Sequence, residues 1–139
     1  MAALALLAIV VIGLSLSAGC VRDNGLPQDV VRLLDGRGAK VEVISANAPL
    51  SSRKGTLAVA ADTQTRQQIV DGLQLAQIVP SDPRFSALGK DIGSAPAAVW
   101  GIAGRPAQLR LHDGSQLEYL YLLTTDDGRT YIVAEYSYG

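Results

Sequence analysis

The stretch LEYLYLLTTDDGRTYIVAEYSY, residues 117–138, decides the fold. It contains two runs rich in leucine, valine, isoleucine and tyrosine, over 117–123 and 130–138, and Asp126-Asp127-Gly128-Arg129 separates them. A turn of aspartate and glycine between two such runs is a strong signal for a β-hairpin. The end of the chain is therefore predicted to form two antiparallel strands.

The preceding segment continues the same pattern. The run QLRLH, residues 108–112, is followed by Asp113-Gly114, a second hairpin signal in series with the first. The run AAVWGIA, residues 97–103, also has the composition of a strand. We therefore expect an antiparallel meander of three strands, or four if residues 97–103 join it.

Upstream of the meander, the hydrophobic pattern predicts an alternation of helices and strands. Pro27 suits the first turn of a helix and Gly36 its end, while Thr65 and Gln68 have the spacing of a capping box. Residues 80–96 are predicted to be mostly irregular, with one helical turn over 83–88. The predicted elements are helices over 27–35 and 64–77 and strands over 39–45 and 56–61. The fold class is α+β, with a mainly antiparallel sheet and both helices on one face.

Alternation along the strand 117–123 divides its side chains between the two faces of the sheet. Tyr119 and Tyr121 are predicted to share one face with Leu117 and Leu123, whereas the leucines between them point the other way. Because this strand is apolar on both faces, we expect it to be central in the sheet and covered on both sides.

All five tyrosines lie in the final 21 residues, and four of them are candidate partner-binding residues: Tyr119, Tyr121, Tyr136 and Tyr138. Tyrosine suits interfaces because one end is apolar and the other forms hydrogen bonds. Packing within the sheet is the simpler explanation of the same residues, since tyrosine has a high β-propensity. The last strand, which carries Tyr136 and Tyr138 on one face, is a candidate edge strand open to a partner.

The sequence offers few candidates for catalysis, and no cofactor or metal is expected. The chain has one histidine, His112, and one cysteine, Cys20, so it lacks the ligand set of a zinc site. No serine has the surroundings of a nucleophile elbow. Glu118 and Glu135 lie on neighbouring predicted strands, and they are the pair to inspect if the protein is instead a small hydrolase or a carrier of a hydrophobic ligand. The net charge of −1 gives no electrostatic case for binding nucleic acid.

The chain begins MAALALLAIVVIGLSLSAGC, and its first charged residue is Arg22. An apolar run that ends in small residues is typical of a secretory signal peptide. The end of this run, Leu16-Ser17-Ala18-Gly19-Cys20, resembles the lipobox of bacterial lipoproteins. The resemblance implies cleavage before Cys20, a diacylglycerol on its thiol and an acylated amino group. Val21, in place of aspartate, implies the outer membrane if the cell has one.

An uncleaved transmembrane helix over residues 2–21 is the alternative, since about 20 apolar residues span a bilayer. Lipoproteins usually have leucine where this chain has Ser17, and a basic residue near the start, which this chain lacks. In this alternative the protein is a single-pass accessory subunit of a membrane complex.

These observations together predict the organisation of the chain and its class of function. Residues 1–19 form a signal peptide or membrane anchor, residues 20–26 a tether, and residues 27–139 a single α+β domain. The expected protein is membrane-anchored on the exported side of the bacterial envelope and non-catalytic. Its N-terminus engages membrane lipid, and its C-terminal sheet binds or braces another envelope or membrane protein.

Overall fold

A computed structural model describes residues 24–102 and 116–137. The predicted anchor, the strand over 108–112 and the hairpin at Asp113-Gly114 lie outside these residues. The helices are α1 (Leu26–Gly36), α2 (Thr63–Leu73) and α3 (Pro83–Ile92). The strands are β1 (Glu42–Asn47), β2 (Lys54–Ala60), β3 (Leu75–Ile78), β4 (Pro96–Ile102), β5 (Gln116–Thr125) and β6 (Thr130–Ser137).

The six strands form one sheet in the order β1-β2-β6-β5-β4-β3, and every neighbouring pair is antiparallel. Strands β3 to β6 are adjacent in chain order, so a C-terminal antiparallel meander is confirmed. Its described members differ from the prediction, because β4 pairs directly with residues 121–125 of β5. The hairpin of β1 and β2 extends the sheet beyond β6, where Leu57 lies opposite Ile132.

Helices α1 and α2 pack on one face of the sheet, as predicted. Their buried residues Leu34 and Ile69 belong to a core cluster with Leu57, Leu120 and Leu122. Helix α1 begins after Gly25, whose φ of 87° is unfavourable for residues with a side chain, and Pro27 occupies its first turn. We call this side of the sheet the two-helix face.

Helix α2 ends four residues earlier than the predicted boundary at residue 77. Asp62, rather than the Thr65 of the proposed capping box, caps its start by accepting a hydrogen bond from the Thr65 amide at 2.7 Å. Gln74 adopts the left-handed conformation, with φ of 54°, and ends the helix. Leu75 and Ile78 are then buried as part of β3, which pairs with β4. The apolar residues after Leu73 thus follow the spacing of a strand.

Residues 80–96, predicted to be mostly irregular, contain the complete helix α3. Asp82 caps its start, Pro83 follows in the first turn, and Gly93 ends it with φ of 71°. Leu88, Phe85 and Ile92 pack on the face of the sheet opposite α1 and α2. The sheet is therefore covered on both sides, and we call this second side the α3 face.

Strand β5 is central and covered on both faces, as predicted, but the predicted face of Leu117 is wrong. A β-bulge at Glu118 shifts the pairing, so that Leu117 lies opposite Tyr136 and Tyr119 lies opposite Glu135. A bulge adds one residue and reverses the alternation on its far side. As a result Leu117 packs in the core under the two-helix face, away from the side that carries Tyr119.

The last strand is not an edge strand, contrary to the expectation from the sequence. Strand β6 lies between β2 and β5, and Lys54 of β2 lies opposite Glu135. Within the described sheet, the edges are β1 and β3.

Candidate functional site

A cleft of about 200 Å³ lies between α3 and the sheet, on the α3 face. The sheet contributes Tyr119 and Tyr121 from β5, Glu135 from β6 and Lys54 from β2. Helix α3 forms the opposite wall with three residues on the side that faces these strands: Arg84, Ala87 and Asp91. Leu88 and Val133 form an apolar floor, and both are buried.

The two tyrosines of the cleft stack on each other. Their ring centroids are 6.2 Å apart and their planes differ by 13°. They lie two residues apart on β5, so both side chains point to the α3 face. Tyr121 is half-buried, and Tyr119 is 45% exposed, which makes it one of the few large hydrophobic residues on the described surface. The pair presents an aromatic face to solvent at the mouth of the cleft.

Two carboxylates influence the ionisation of Tyr119. The charge of Glu118, the bulge residue, raises the pKa of this phenol, and Glu135 adds a smaller effect in the same direction. An anionic phenolate is unfavourable beside these negative charges. The neutral phenol of Tyr119 is therefore favoured over its phenolate.

The two cationic residues of the cleft have partners on α3 or at its start. Lys54 Nζ lies 2.7 Å from Asp91 Oδ1, an ion pair that joins β2 to α3. Arg84 forms a bidentate pair with Asp82, with distances of 3.1 and 2.8 Å. Arg84 lowers the pKa of Asp82 to about 2, through hydrogen bonding first. In return, Asp82 and then the hydroxyl of Tyr121 raise the pKa of Arg84.

The structure separates the predicted tyrosines. Tyr119 and Tyr121 lie together in the cleft, whereas Tyr136 is only 7% exposed and packs under the two-helix face. Its hydroxyl donates a hydrogen bond to Asp29 in α1. Tyr138 lies outside the described residues.

Of the other residues singled out in the sequence, two lie beside the cleft tyrosines and two lie outside the described residues. Glu118 and Glu135 lie on the neighbouring strands β5 and β6, and both raise the pKa of Tyr119. Cys20 and His112 lie outside the described residues.

Sequence reasoning missed three of the cleft residues. In the sequence Lys54 follows Arg53, and this pair alone indicates only a basic loop. In the structure Lys54 belongs to β2 and pairs with Asp91, which is 37 residues away. Such a separation leaves no local pattern. Arg84 follows an Asp-Pro pair, a signal for the start of a helix that was available in the sequence.

The chemistry of the cleft suits binding by aromatic contact and hydrogen bonds. Within residues 24–102 and 116–137, no group of three His, Cys, Asp or Glu side chains is placed to hold a metal ion. No helix in these two ranges is long and apolar enough to span a membrane. No family model, curated protein or solved structure matches the chain.

Proposed function

We propose that this chain is a membrane-anchored, non-catalytic protein of the bacterial envelope that binds or braces another envelope component. In this proposal a lipid on Cys20 holds it on the exported side of the membrane, and the cleft at Tyr119 receives the partner. The observation that carries the binding role is the stacked, solvent-facing pair of Tyr119 and Tyr121.

The exposure of Tyr119 supports contact with a partner, because an aromatic ring gains most from burial. The ring of Tyr121 stacks on the ring of Tyr119 and restricts its rotation. Tyr119 therefore loses little side-chain freedom when a partner covers its ring. Tyrosine is enriched in interfaces for these reasons, and residues of this kind often dominate the binding energy.

The charges around the cleft favour a partner with a basic group. Lys54 and Arg84 are each held by an aspartate on the α3 side. Glu118 and Glu135 add negative charge on the sheet side, next to the ring of Tyr119. A lysine or arginine of the partner would meet both carboxylates and the face of an aromatic ring, which also attracts cations.

The lipid anchor is supported by the sequence around Cys20. The apolar run ends at this residue, the small residues Ala18 and Gly19 precede it, and it is the single cysteine of the chain. The apolar length of residues 2–21, which is enough to span a bilayer, supports the second candidate, a single-pass subunit of a membrane complex with these residues retained.

Intact mass of the protein purified from its native membrane tests the anchor. We expect the mass of residues 20–139 plus acyl chains, and loss of these chains in Cys20→Ser. An unmodified full-length mass would instead support the retained helix.

Site-specific photocrosslinking in intact cells tests the binding role. A photoreactive phenylalanine analogue at position 119 is expected to give a defined crosslinked product. The matched control is the same analogue at Gln68, an exposed position on α2 behind the two-helix face. Equal crosslinking at both positions, or none at 119, would contradict a partner site at the cleft.

A further inference from the structure

The chain enters the described fold at one end of the sheet, where Asn24 is fixed to the connection between β1 and β2. The Asn24 amide donates to the carbonyl of Ala48 at 3.0 Å. Its side-chain amide donates to the carbonyls of Ser52, at 2.8 Å, and Lys54, at 3.1 Å. The connection between the two strands is therefore the part of the fold closest to the N-terminal segment.

This connection ends in a tight turn with an apolar tip. The Ser52 amide donates to the carbonyl of Pro49 at 3.0 Å, which closes a β-turn over residues 49–52. Leu50 is at the tip of this turn and is 67% exposed. We call residues 49–53 the Leu50 turn. The contacts of Asn24 hold it in place, so the exposure of Leu50 belongs to a fixed loop conformation.

The length of chain before Asn24 limits how far the Leu50 turn can lie from a membrane anchor. Cys20 is four residues before Asn24. At about 3.5 Å per residue, a fully extended chain of that length spans about 14 Å. A lipid on Cys20, or a helix that ends at Val21, therefore keeps Asn24 within that distance of the membrane interface. The Leu50 turn follows directly, because the Asn24 side chain donates to its Ser52 carbonyl at 2.8 Å.

The composition of the turn suits this position. Residues 47–53 contain no acidic residue, and the cationic residue of the turn, Arg53, is exposed. Lys54 follows it, but its charge is paired with Asp91. An apolar tip followed by positive charge matches a bilayer surface, where acyl chains lie just below anionic headgroups.

We propose that the Leu50 turn rests on the membrane that holds the N-terminus, with Leu50 inserted among the lipid headgroups. The inference depends on the proposed membrane anchor and adds an orientation to it. The end of the sheet that carries Lys54, Glu135 and Tyr119 faces the bilayer, because these residues form one row across β2, β6 and β5. The partner of the cleft is then a component that lies at the membrane surface.

An environment-sensitive fluorescent label tests this orientation in the full chain. Leu50→Cys is labelled with a nitrobenzoxadiazole dye after purification from membranes and reconstitution in vesicles of phosphatidylethanolamine and phosphatidylglycerol. An acylated Cys20 thiol does not react, so the label is specific.

The matched control is Asp126→Cys, at an exposed turn at the other end of the sheet. Strand β2 separates the two turns: it starts at Lys54, after the Leu50 turn, and its Val59 lies opposite Thr130, after the Asp126 turn. These five residue steps correspond to at least about 17 Å at ~3.3 Å per residue.

We expect blue-shifted emission at position 50, with quenching by lipids that carry a nitroxide near the headgroup, and neither effect at position 126. Equal, water-like emission at both positions would overturn the proposed contact.

Intact mass and flotation with the vesicles separate this result from a failure of the anchor. If the mass is that of the unmodified full-length chain, the Cys20 thiol is free and would also react with the dye. In that case the same label at position 50 in a Cys20→Ser background tests the contact of Leu50 with the membrane. A protein that does not float would overturn both the anchor and the contact.

Discussion

The hydroxyl of Tyr136 donates a hydrogen bond to the carboxylate of Asp29 at 2.8 Å, across 107 residues of sequence. Both side chains are only 7% exposed. The bond joins β6 in the centre of the sheet to the first turn of α1, where a negative charge also interacts favourably with the helix dipole. It fixes the first helix of the described fold directly to the strand that carries Glu135 at the cleft.

Replacing Tyr136 with phenylalanine should therefore destabilise the protein. The substitution removes a donor from a buried carboxylate, and a loss of this kind costs about 1–3 kcal/mol. Urea unfolding followed by circular dichroism measures it. Tyr119→Phe is the control, since its hydroxyl is at the surface and the expected change is below about 0.5 kcal/mol. Equal stability of the two variants would show that the buried bond contributes nothing.

The ion pair of Lys54 and Asp91 should contribute little to stability despite its distance of 2.7 Å. The two side chains are 39% and 24% exposed, so water screens the pair. A double-mutant cycle with Lys54→Met and Asp91→Asn is expected to give a coupling free energy of about 0.2–1 kcal/mol, smaller at high salt. A coupling that is large and independent of salt would contradict this expectation and make the pair a main link between β2 and α3.

The sequence predicted most of the sheet because its signals there are local. The turn at Asp126-Asp127-Gly128-Arg129 sets the hairpin of β5 and β6, and the carbonyl of Arg129 accepts a bond from Thr125 at 3.0 Å as such a turn requires. Helix α1 was predictable from local signals as well, with Pro27 near its start and Gly36 at its end. Each of these signals lies within a few residues of the structure that it specifies.

The errors arose where the decisive contact is distant in sequence. The bulge at Glu118 depends on how β6 pairs with β5, and the docking of β2 against β6 is visible only in three dimensions. The candidate site divides in the same way into a part with local signals, which was predictable, and a part that depends on distant contacts. The alternation of Tyr119 and Tyr121 is local, whereas the approach of Lys54 to Asp91 depends on the packing of α3.

Asp82 should make the stability of α3 sensitive to acid. Its pKa is lowered from 3.8 to about 2, chiefly by hydrogen bonding to Arg84. A carboxyl group whose pKa is lower in the folded state contributes stability that is complete above its unfolded pKa. This contribution is lost as the pH falls towards the folded pKa.

Asp82→Asn keeps a capping side chain but removes the titration. The variant should lose less stability than the parent between about pH 4 and pH 2, by thermal unfolding at each pH. Parallel curves for the two proteins would show that Asp82 is not coupled to folding.

Glu118 should control the ionisation of Tyr119. Because its charge is the largest cause of the raised phenol pKa, Glu118→Gln is expected to lower the pKa of Tyr119 towards 10.0. Absorbance at alkaline pH reports the phenolate, and the difference from Tyr119→Phe isolates this residue from the other tyrosines. Glu42→Gln, at an exposed position on β1, is the charge-matched control. An identical titration in both glutamine variants would contradict the proposed proximity of the Glu118 carboxylate to the phenol.

Gly101 should be required for the aromatic surface of the cleft. It lies opposite Tyr121 on the neighbouring strand β4. A Cβ added at this position would lie 2.8 Å from the Tyr121 ring and 3.0 Å from Ile78, so the ring packs directly over the glycine. Gly101→Ala must therefore displace the ring on which Tyr119 stacks. Overpacking of this kind costs about 1–3 kcal/mol, and it should also reduce crosslinking from position 119.

Gly36→Ala separates this effect from a general loss of glycine. The added Cβ meets nothing within 4 Å at the end of α1, so crosslinking should be unchanged. Stability should not fall, and a Gly to Ala change at a helical position can raise it by about 0.4–1 kcal/mol. If Gly101→Ala lowered stability but left crosslinking from position 119 intact, the partner would not depend on the position of the Tyr121 ring. The binding surface would then be the exposed ring of Tyr119 with its neighbouring carboxylates alone.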